Sequence, residues 1–234
     1  MLMENITILV VLLILLVFAG MVIFSITSNR RAREARERMA QTLGMTPVPQ
    51  PDAALVEQIT GLYRTSWEQF KADLLNVSRR SLPDGELFLF DLLDTGGDST
   101  SITESQGVAI RSNTLKLPQF QMYPKMDASK SALGSLANKI VEWGVSKIGT
   151  PVNFPEYPAF QARYAVTSAD PEAARRFFDE EKARYFARTE NYALRANGHL
   201  FAFAEIEPGF QQNDPAQMTR RIQRALEIYR LFQA

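Results

Sequence analysis

FLFDLLDTGGDSTS, Phe88–Ser101, can be read in two ways, and the two lead to different folds. As a catalytic loop, Asp94-Thr95-Gly96 is the tripeptide that carries the reactive carboxylate of aspartic proteases, placed after an apolar run as it is there. As a hairpin, the apolar run is a strand and Gly96-Gly97-Asp98 is turn chemistry. The protease reading needs a second aspartate that shares a proton with the first, one acting as acid and the other as base on a water. The chain holds one such tripeptide, so only a homodimer would supply the pair. That reading also needs an apolar-apolar-Gly strand downstream. The nearest match, SKIGT (Ser146–Thr150), closes a stretch of helical periodicity. The hairpin reading is therefore adopted, and Asp94 is kept as the catalytic candidate of the alternative.

Outward from this stretch the texture is that of strands. LLNVSRR, ELFLFDLL, QGVAIRS and KLPQFQMYP are short runs separated by Pro83-Asp84-Gly85, Gly96-Gly97-Asp98 and Ser112-Asn113, which predicts an antiparallel meander. YALRANGHLFAFAEIE predicts a further hairpin, with Asn197-Gly198 supplying the two positive-φ residues of a type I′ turn. GTPVNFPEYPAF reads as a loop and ARYAVTS as a strand. Helical spacing covers Ala53–Phe70 and Ala128–Lys147. Asp170-Pro171-Glu172 opens a helix expected to reach Phe186. The last helix opens at Asp214-Pro215, with an apolar stripe of Met218, Ile222, Ala225, Tyr229 and Phe232 and with Arg220, Arg221, Arg224 and Glu227 on other faces. The expected class is α+β: an N-terminal transmembrane helix, then a domain with an antiparallel sheet of six or seven strands covered by the C-terminal helix.

Ile6–Ile26 holds 21 residues without a charge. At about 1.5 Å per residue it spans about 31 Å, the thickness of a bilayer's hydrocarbon core. No basic residue precedes it and no small-x-small cleavage site follows, so a retained anchor is expected over a cleaved leader. Arg30, Arg31, Arg33, Arg36 and Arg38 follow the span. They act as a topology signal, or as a lipid-headgroup patch, and place the C-terminal bulk in the cytoplasm and the N-terminus outside the inner membrane. The organisation read is a transmembrane anchor over 1–27, a basic juxtamembrane helix over 28–45 capped by Gly44, a Pro-rich linker over 46–52 and a soluble α+β domain over 53–234.

The 234 residues carry 26 basic and 26 acidic side chains, one histidine and no cysteine. Zero cysteine excludes disulfides, thiolate metal sites and a cysteine nucleophile. Beyond residue 38 the balance is 21 basic to 23 acidic, which disfavours nucleic acid as a partner. His199 alone would have to carry any Ser-His-Asp triad or His-based zinc site, and it is read as a surface residue beside the hairpin turn. Glu205 with Glu207, and Asp91 with Asp94, could pair as two carboxylates, but carboxylates on exposed strand faces and turns are common, and they are read as ordinary solvated side chains. Trp67 and Trp143 lie on helical stretches and suit a core. There is no phosphate loop and no dinucleotide fingerprint, and neither a metal nor a cofactor is expected.

RRAREARERMAQTLG, LFLFDLLDTGG, GVAIRSNTLKLPQFQMYP and YPAFQARYAVTSADPEAARRFF together resemble a family of uncharacterised bacterial single-pass membrane proteins with a basic juxtamembrane helix and a soluble α+β domain. The resemblance covers most of residues 30–232 and includes Leu117, Pro118, Phe120, Met122 and Pro124. Tyr157 stands where the pattern has a histidine and Gln161 where it has a serine, so a site built on those two would be absent. The resemblance implies an architecture and no activity.

The expectation that emerges is a non-enzymatic binding or scaffold module, tethered to the membrane and facing the cytosol. It would engage the bilayer and either a protein partner or a second copy of itself. The alternative is a carboxylate-dependent hydrolase, dimeric and aspartic-protease-like through Asp94.

Overall fold

The apolar run Phe88–Leu93 is part of a strand. In the computed structural model, which describes residues 34, 37–63, 72–94, 104–125, 149–206 and 214–233 (of 72, 93, 94 and 104–106 the backbone alone), β3 is Gly85–Asp94. Its alternation decides which side chain faces which way. Leu87 and Leu89 enter one core; Phe88, Phe90 and Leu92 enter a second on the opposite face. A strand buried on both faces reads as a continuous apolar run, and this one does.

β3 is flanked by β2 (Ala72–Leu82) and β4 (Glu104–Ser112), both antiparallel to it. The Leu93↔Glu104 register pairs the strands on either side of the Gly96-Gly97-Asp98 stretch, which itself lies outside the described residues. The remaining strands are β1 (Thr46–Pro47), β5 (Leu117–Pro124), β6 (Thr150–Val152), β7 (Tyr164–Ser168), β8 (Tyr192–Gly198) and β9 (Leu200–Glu205). Among the described residues they make one nine-stranded sheet in the order β1-β2-β3-β4-β9-β8-β5-β7-β6, antiparallel at every pairing.

Four expectations are corrected here. The sheet has nine strands where six or seven were expected. β5 does not continue the meander: the β8–β9 hairpin inserts between β4 and β5, and the Ser112 amide bonds the His199 carbonyl at 2.9 Å. GTPVNFPEYPAF also holds more than a loop, since it contributes β6 and the start of a short helix, α2 (Pro158–Arg163). Thr46–Pro47, read as the start of a linker, instead pairs with β2 and closes one edge of the sheet. A short edge carrying proline resists pairing with another chain.

The β8–β9 turn differs from its predicted form. Asn197 pairs with Leu200, so the two turn residues are Gly198 and His199. Gly198 has φ +60°, whereas Asn197 is not among the positive-φ residues. Glycine in the left-handed region at the first turn position belongs to type II′ rather than I′, and the asparagine joins the strand.

One face of the sheet carries α5 (Pro215–Gln233), whose predicted stripe is buried throughout with Ile228 added. Asp214 caps it by accepting the Ala216 amide at 2.9 Å. Beside α5 lie α2 (Pro158–Arg163), α3 (Pro171–Phe177) and α4 (Glu180–Phe186). The helix expected from Asp170 to Phe186 is broken at Phe178-Asp179. Asp179 caps anew, accepting the Lys182 amide at 3.0 Å, and the break sends Phe178 into the core. Burial pushes the Asp179 carboxyl up, but hydrogen bonds and the charge of Lys182 outweigh it and hold the group below its ordinary range. Phe178 then meets Phe120 at 4.9 Å and Phe160 at 5.2 Å between ring centroids. Such pairs add about 0.5–1.5 kcal/mol each beyond the area they bury.

Residues 37–42 are helical and end at Gly44, φ +65°, with Met45 N–H reaching back to the Ala40 carbonyl at 2.8 Å. This is the glycine cap predicted for the juxtamembrane helix. Met39, Ala40 and Met45 pack into the α5-side core. Among the described residues no helix is long and apolar enough to cross a membrane. Ile6–Ile26, Arg30, Arg31, Arg33, Arg36, Trp67 and Trp143 lie outside them.

The opposite face carries α1 (Ala53–Tyr63), capped by Asp52 through the Leu55 amide at 2.7 Å. α1 covers only part of that face. One cross-strand row of the sheet, in register, reads Phe88, Ala109, Ala202, Arg195, Gln121, Thr167. Its first three members are apolar and belong to the core under α1. The last three are polar.

Candidate functional site

A cleft of about 630 Å³ opens between α1 and the strand ends at the β2–β3 and β8–β9 turns. Glu57 and Gln58 face it from α1, Asp84 and Glu86 from the β2–β3 hairpin, Arg111 from β4 and His199 from the β8–β9 turn. Each arrives for a local reason. Asp84 is turn chemistry, Glu86 and Arg111 are register partners on neighbouring strands, and His199 is the second residue of the tight turn.

The charges of this cleft are largely engaged with each other. Arg111 Nη2 lies 2.6 Å from Glu86 Oε2, and Nη1 donates to Gln58 Oε1 at 3.1 Å. Its guanidinium also sits 5.4 Å from the centre of the Phe88 ring. Arg79 approaches the other oxygen of Glu86 at 3.7 Å. His199 Nδ1 is 2.6 Å from the Leu115 carbonyl. A carbonyl can only accept, so Nδ1 carries the proton, and the neutral imidazole presents Nε2 as an acceptor. Asp84 and Glu86 balance Arg111 and Arg79 in charge, and Glu57 leaves the group one negative charge in excess.

The floor of the cleft is braced. Ser112 Oγ donates to the Asp84 carbonyl at 2.5 Å, accepts from Tyr229 of α5 at 2.9 Å and lies 2.8 Å from Thr114 Oγ1. Gln233 donates to Thr114 and to the Tyr229 hydroxyl at 2.8 and 2.9 Å. This network ties the C-terminal helix to the turn that shapes the cleft.

The structure disperses the carboxylates singled out from the sequence. Asp94 ends β3 opposite Ala72, with its side chain outside the described residues. Asp91, 1% exposed, accepts from Asn76 Nδ2 at 2.7 Å. Asn76 sits at a bulge of β2 with φ +51°, so this carboxylate braces an irregular backbone. Glu205 is not on a solvated strand face as expected. Its side chain is 3% exposed and lies between Arg224, a close ion pair, and Arg221 at 3.6 Å. Arg221, expected on an outer face of α5, is itself 2% exposed. Glu207 lies outside the described residues. Of the juxtamembrane arginines, Arg38 is described; it is exposed, and its Nε donates to the Glu34 carbonyl at 3.2 Å. At the positions where the family resemblance breaks, Gln161 has a structural use: its side chain accepts the Phe154 amide at 2.6 Å and its carbonyl accepts Lys125 Nζ at 2.6 Å.

Sequence reasoning missed the cleft as a unit. Glu86 and Arg111 lie 25 residues apart, and only the β3–β4 register joins them. The available signal was the pair of turns, Pro83-Asp84 and Gly198-His199, which the strand order brings to one end of the sheet. No protein-family model, curated relative or solved structure matches the chain.

Proposed function

We propose that the chain is a non-enzymatic binding or scaffold module, tethered to the inner membrane by Ile6–Ile26 with its sheet domain on the cytosolic side. The cleft under the β2–β3 and β8–β9 turns receives a segment of a protein partner. The observation behind this reading is the state of the cleft's charged groups. Arg111 is held by Glu86, Gln58 and the Phe88 ring, and His199 is tied by Nδ1 to a backbone carbonyl. Groups fixed in this way present a patterned, hydrogen-bonding surface. With Arg79 and Arg111 set against Asp84, Glu86 and Glu57, the one acidic group in excess favours a partner segment bearing a lysine or arginine.

Selection of random peptides against the full chain in detergent tests the proposal. Wild type is expected to enrich basic peptides, and Asp84→Asn with Glu86→Gln to lose that enrichment. Equal enrichment by both forms, or none by wild type, overturns it. Asp94→Asn addresses the hydrolase alternative. A folded D94N protein that loses a peptide-cleaving activity of the wild type would replace the binding reading with a catalytic one. Because the chain has no native cysteine, single cysteines introduced after residue 30 report sidedness with an impermeant maleimide. Labelling from outside the intact membrane would overturn the cytosolic placement.

A further inference from the structure

The chain from Glu37 to Tyr63 wraps the β2 edge of the sheet. Residues 37–42 pack Met39 and Ala40 into the α5-side core, β1 closes the edge, and α1 covers the opposite face. The Val48 amide also bonds the Val77 carbonyl at 2.7 Å, so the chain is docked here rather than free. The direction of the first helix follows from these contacts. Thr46 pairs with Arg79 and Pro47 with Ser78, which puts Met45 toward the β2–β3 turn. Glu37 and Met39 instead share a cavity of about 230 Å³ with Asn76, Val77, Ser78 and Leu89. Gly44, φ +65°, reverses the chain between the helix and β1. The helix therefore runs toward the cleft, and its N-terminal end, at Glu34 and Glu37, points to the other end of the sheet, where β2 begins.

That other end carries the two large apolar side chains that stand exposed among the described residues, Leu75 at 40% and Ile206 at 39%. The registers place them at nearly one level. Leu75 pairs with Asp91 and Asp91 with Gln106, while Val108 pairs with Phe203, which carries Ile206 to the level of Ser105. Three strand spacings, about 14 Å, separate them. The turns that shape the cleft lie at the opposite end, and from Leu75 to Asp84 there is about 30 Å of chain. Alternation puts Leu75 on the α5 side, with Asp91, and Ile206 on the α1 side, with Ala202. A surface laid across the end of the sheet meets both side chains, whereas one laid against either face meets only one. Asp73, Lys125 and Arg163 are exposed at this end too, so its charge is mixed and apolar contact is what it offers. A single exposed leucine is ordinary; two such side chains at the end to which the tether leads are what argue for a partner.

We propose that this end of the sheet rests on the lipid bilayer, with Leu75 and Ile206 at the boundary of headgroups and acyl chains, and that the cleft opens away from it toward the cytosol. The proposal rests on the reading of Ile6–Ile26 as a membrane span. Ile26 and Glu37 are eleven residues apart, so the docked helix begins within about 40 Å of the bilayer at full extension of the chain between them.

Because the chain has no cysteine, single cysteines can carry a fluorophore at chosen positions. The full chain is reconstituted into phosphatidylcholine vesicles in three forms, labelled at Leu75→Cys, at Ile206→Cys or at Lys116→Cys, the last an exposed residue at the cleft end. Exchange of the lipid for one bearing a nitroxide on its acyl chain is expected to remove most of the emission at 75 and 206 and to leave that at 116 unchanged. The contrast is expected to persist in high salt, since screening does not weaken an apolar contact. Leu75→Ser, read through the label at 206, is expected to reduce the quenching there by removing one of the two contacts. Flotation of the same vesicles separates this proposal from the anchor it rests on. A chain that does not float with the lipid loses the anchor and this orientation together. A floating chain whose label at 116 is quenched as strongly as those at 75 and 206, or in which none is quenched, overturns the orientation and leaves the anchor standing. Quenching that disappears in high salt, or that Leu75→Ser leaves unaltered at 206, overturns the apolar contact.

Discussion

Arg221 and Arg195 stand on opposite faces of the same hairpin, and their circumstances differ in one respect. Arg221 is 2% exposed and reaches a carboxylate, Glu205, that is shared with Arg224; it also donates to the Glu205 backbone carbonyl at 3.2 Å. Arg195 is half-buried and meets two tyrosine rings. A buried charge with a buried counter-charge is part of the fold, because removing either partner strands the other in a medium that solvates it poorly. Arg195 is held instead by the rings and side-chain hydrogen bonds of Tyr63 and Tyr123, with no carboxylate among them. The two arginines therefore differ in what answers the charge: a buried carboxylate for Arg221, and two tyrosines for Arg195.

The sharpest way to break this contrast is Glu205→Ala. It leaves Arg221 without its carboxylate, and unfolding free energy is expected to fall by about 3–5 kcal/mol, read by denaturant titration. A loss of about 1 kcal/mol or less would mean that Arg221 is no better supplied with partners than Arg195, and the distinction would collapse.

Both members of this ion pair were within reach of the sequence. Position 221 lies three residues after Met218 and four before Ala225, within the apolar stripe of α5, and Glu205 continues the inward alternation of Phe201 and Phe203. Assigning charged residues outward by type, against the periodicity, misplaced them. The Asp179 cap was equally visible as an aspartate followed by two glutamates, yet a continuous helix was read through it. By contrast, β3, the α5 stripe and the existence of the β8–β9 hairpin follow from local alternation, and local signals carry them. The insertion of that hairpin between β4 and β5 leaves no local trace. The row that joins Arg195 to Gln121 and Thr167 depends on it, as does the end of the sheet where Asp84 meets His199.

Alkaline titration sharpens the comparison through the tyrosines beside each arginine. Burial pushes Tyr192 up to about 12, against the opposing pull of Arg224, whose guanidinium lies 5.9 Å from its ring. Burial also raises Tyr63, again opposed by a neighbouring arginine, Arg195. A phenol whose folded pKa is raised from 10.0 contributes stability that is complete below pH 10 and lost as pH climbs through about 12. Phenolate absorbance should lag that of the unfolded chain across this window while the denaturation midpoint falls. Tyr192→Phe should flatten the fall, and an unchanged pH dependence would show that Tyr192 is not protected by burial.

A hydroxyl lock offers a smaller effect. Tyr229→Phe removes the bond to Ser112 Oγ and the acceptor for Gln233, while Ser112 keeps Thr114 and the Asp84 carbonyl. A loss of about 1 kcal/mol is expected, the net worth of an ordinary buried hydrogen bond. A loss above about 3 kcal/mol would make the α5–cleft link comparable to the Glu205 pair.

The smallest change is expected at Arg195. Arg195→Met keeps the length and apolar body of the side chain and removes the charge. What is lost is attraction to the Tyr63 and Tyr123 rings, about 0.5–2 kcal/mol where such contacts are desolvated. What is gained is relief from holding a charge half-buried without a carboxylate, so the two offset and stability should move by about 1 kcal/mol or less in either direction. The measurement is the same denaturant titration used for Glu205→Ala. A loss as large as that of the Glu205 variant would show that the fold depends on Arg195 as it depends on Arg221.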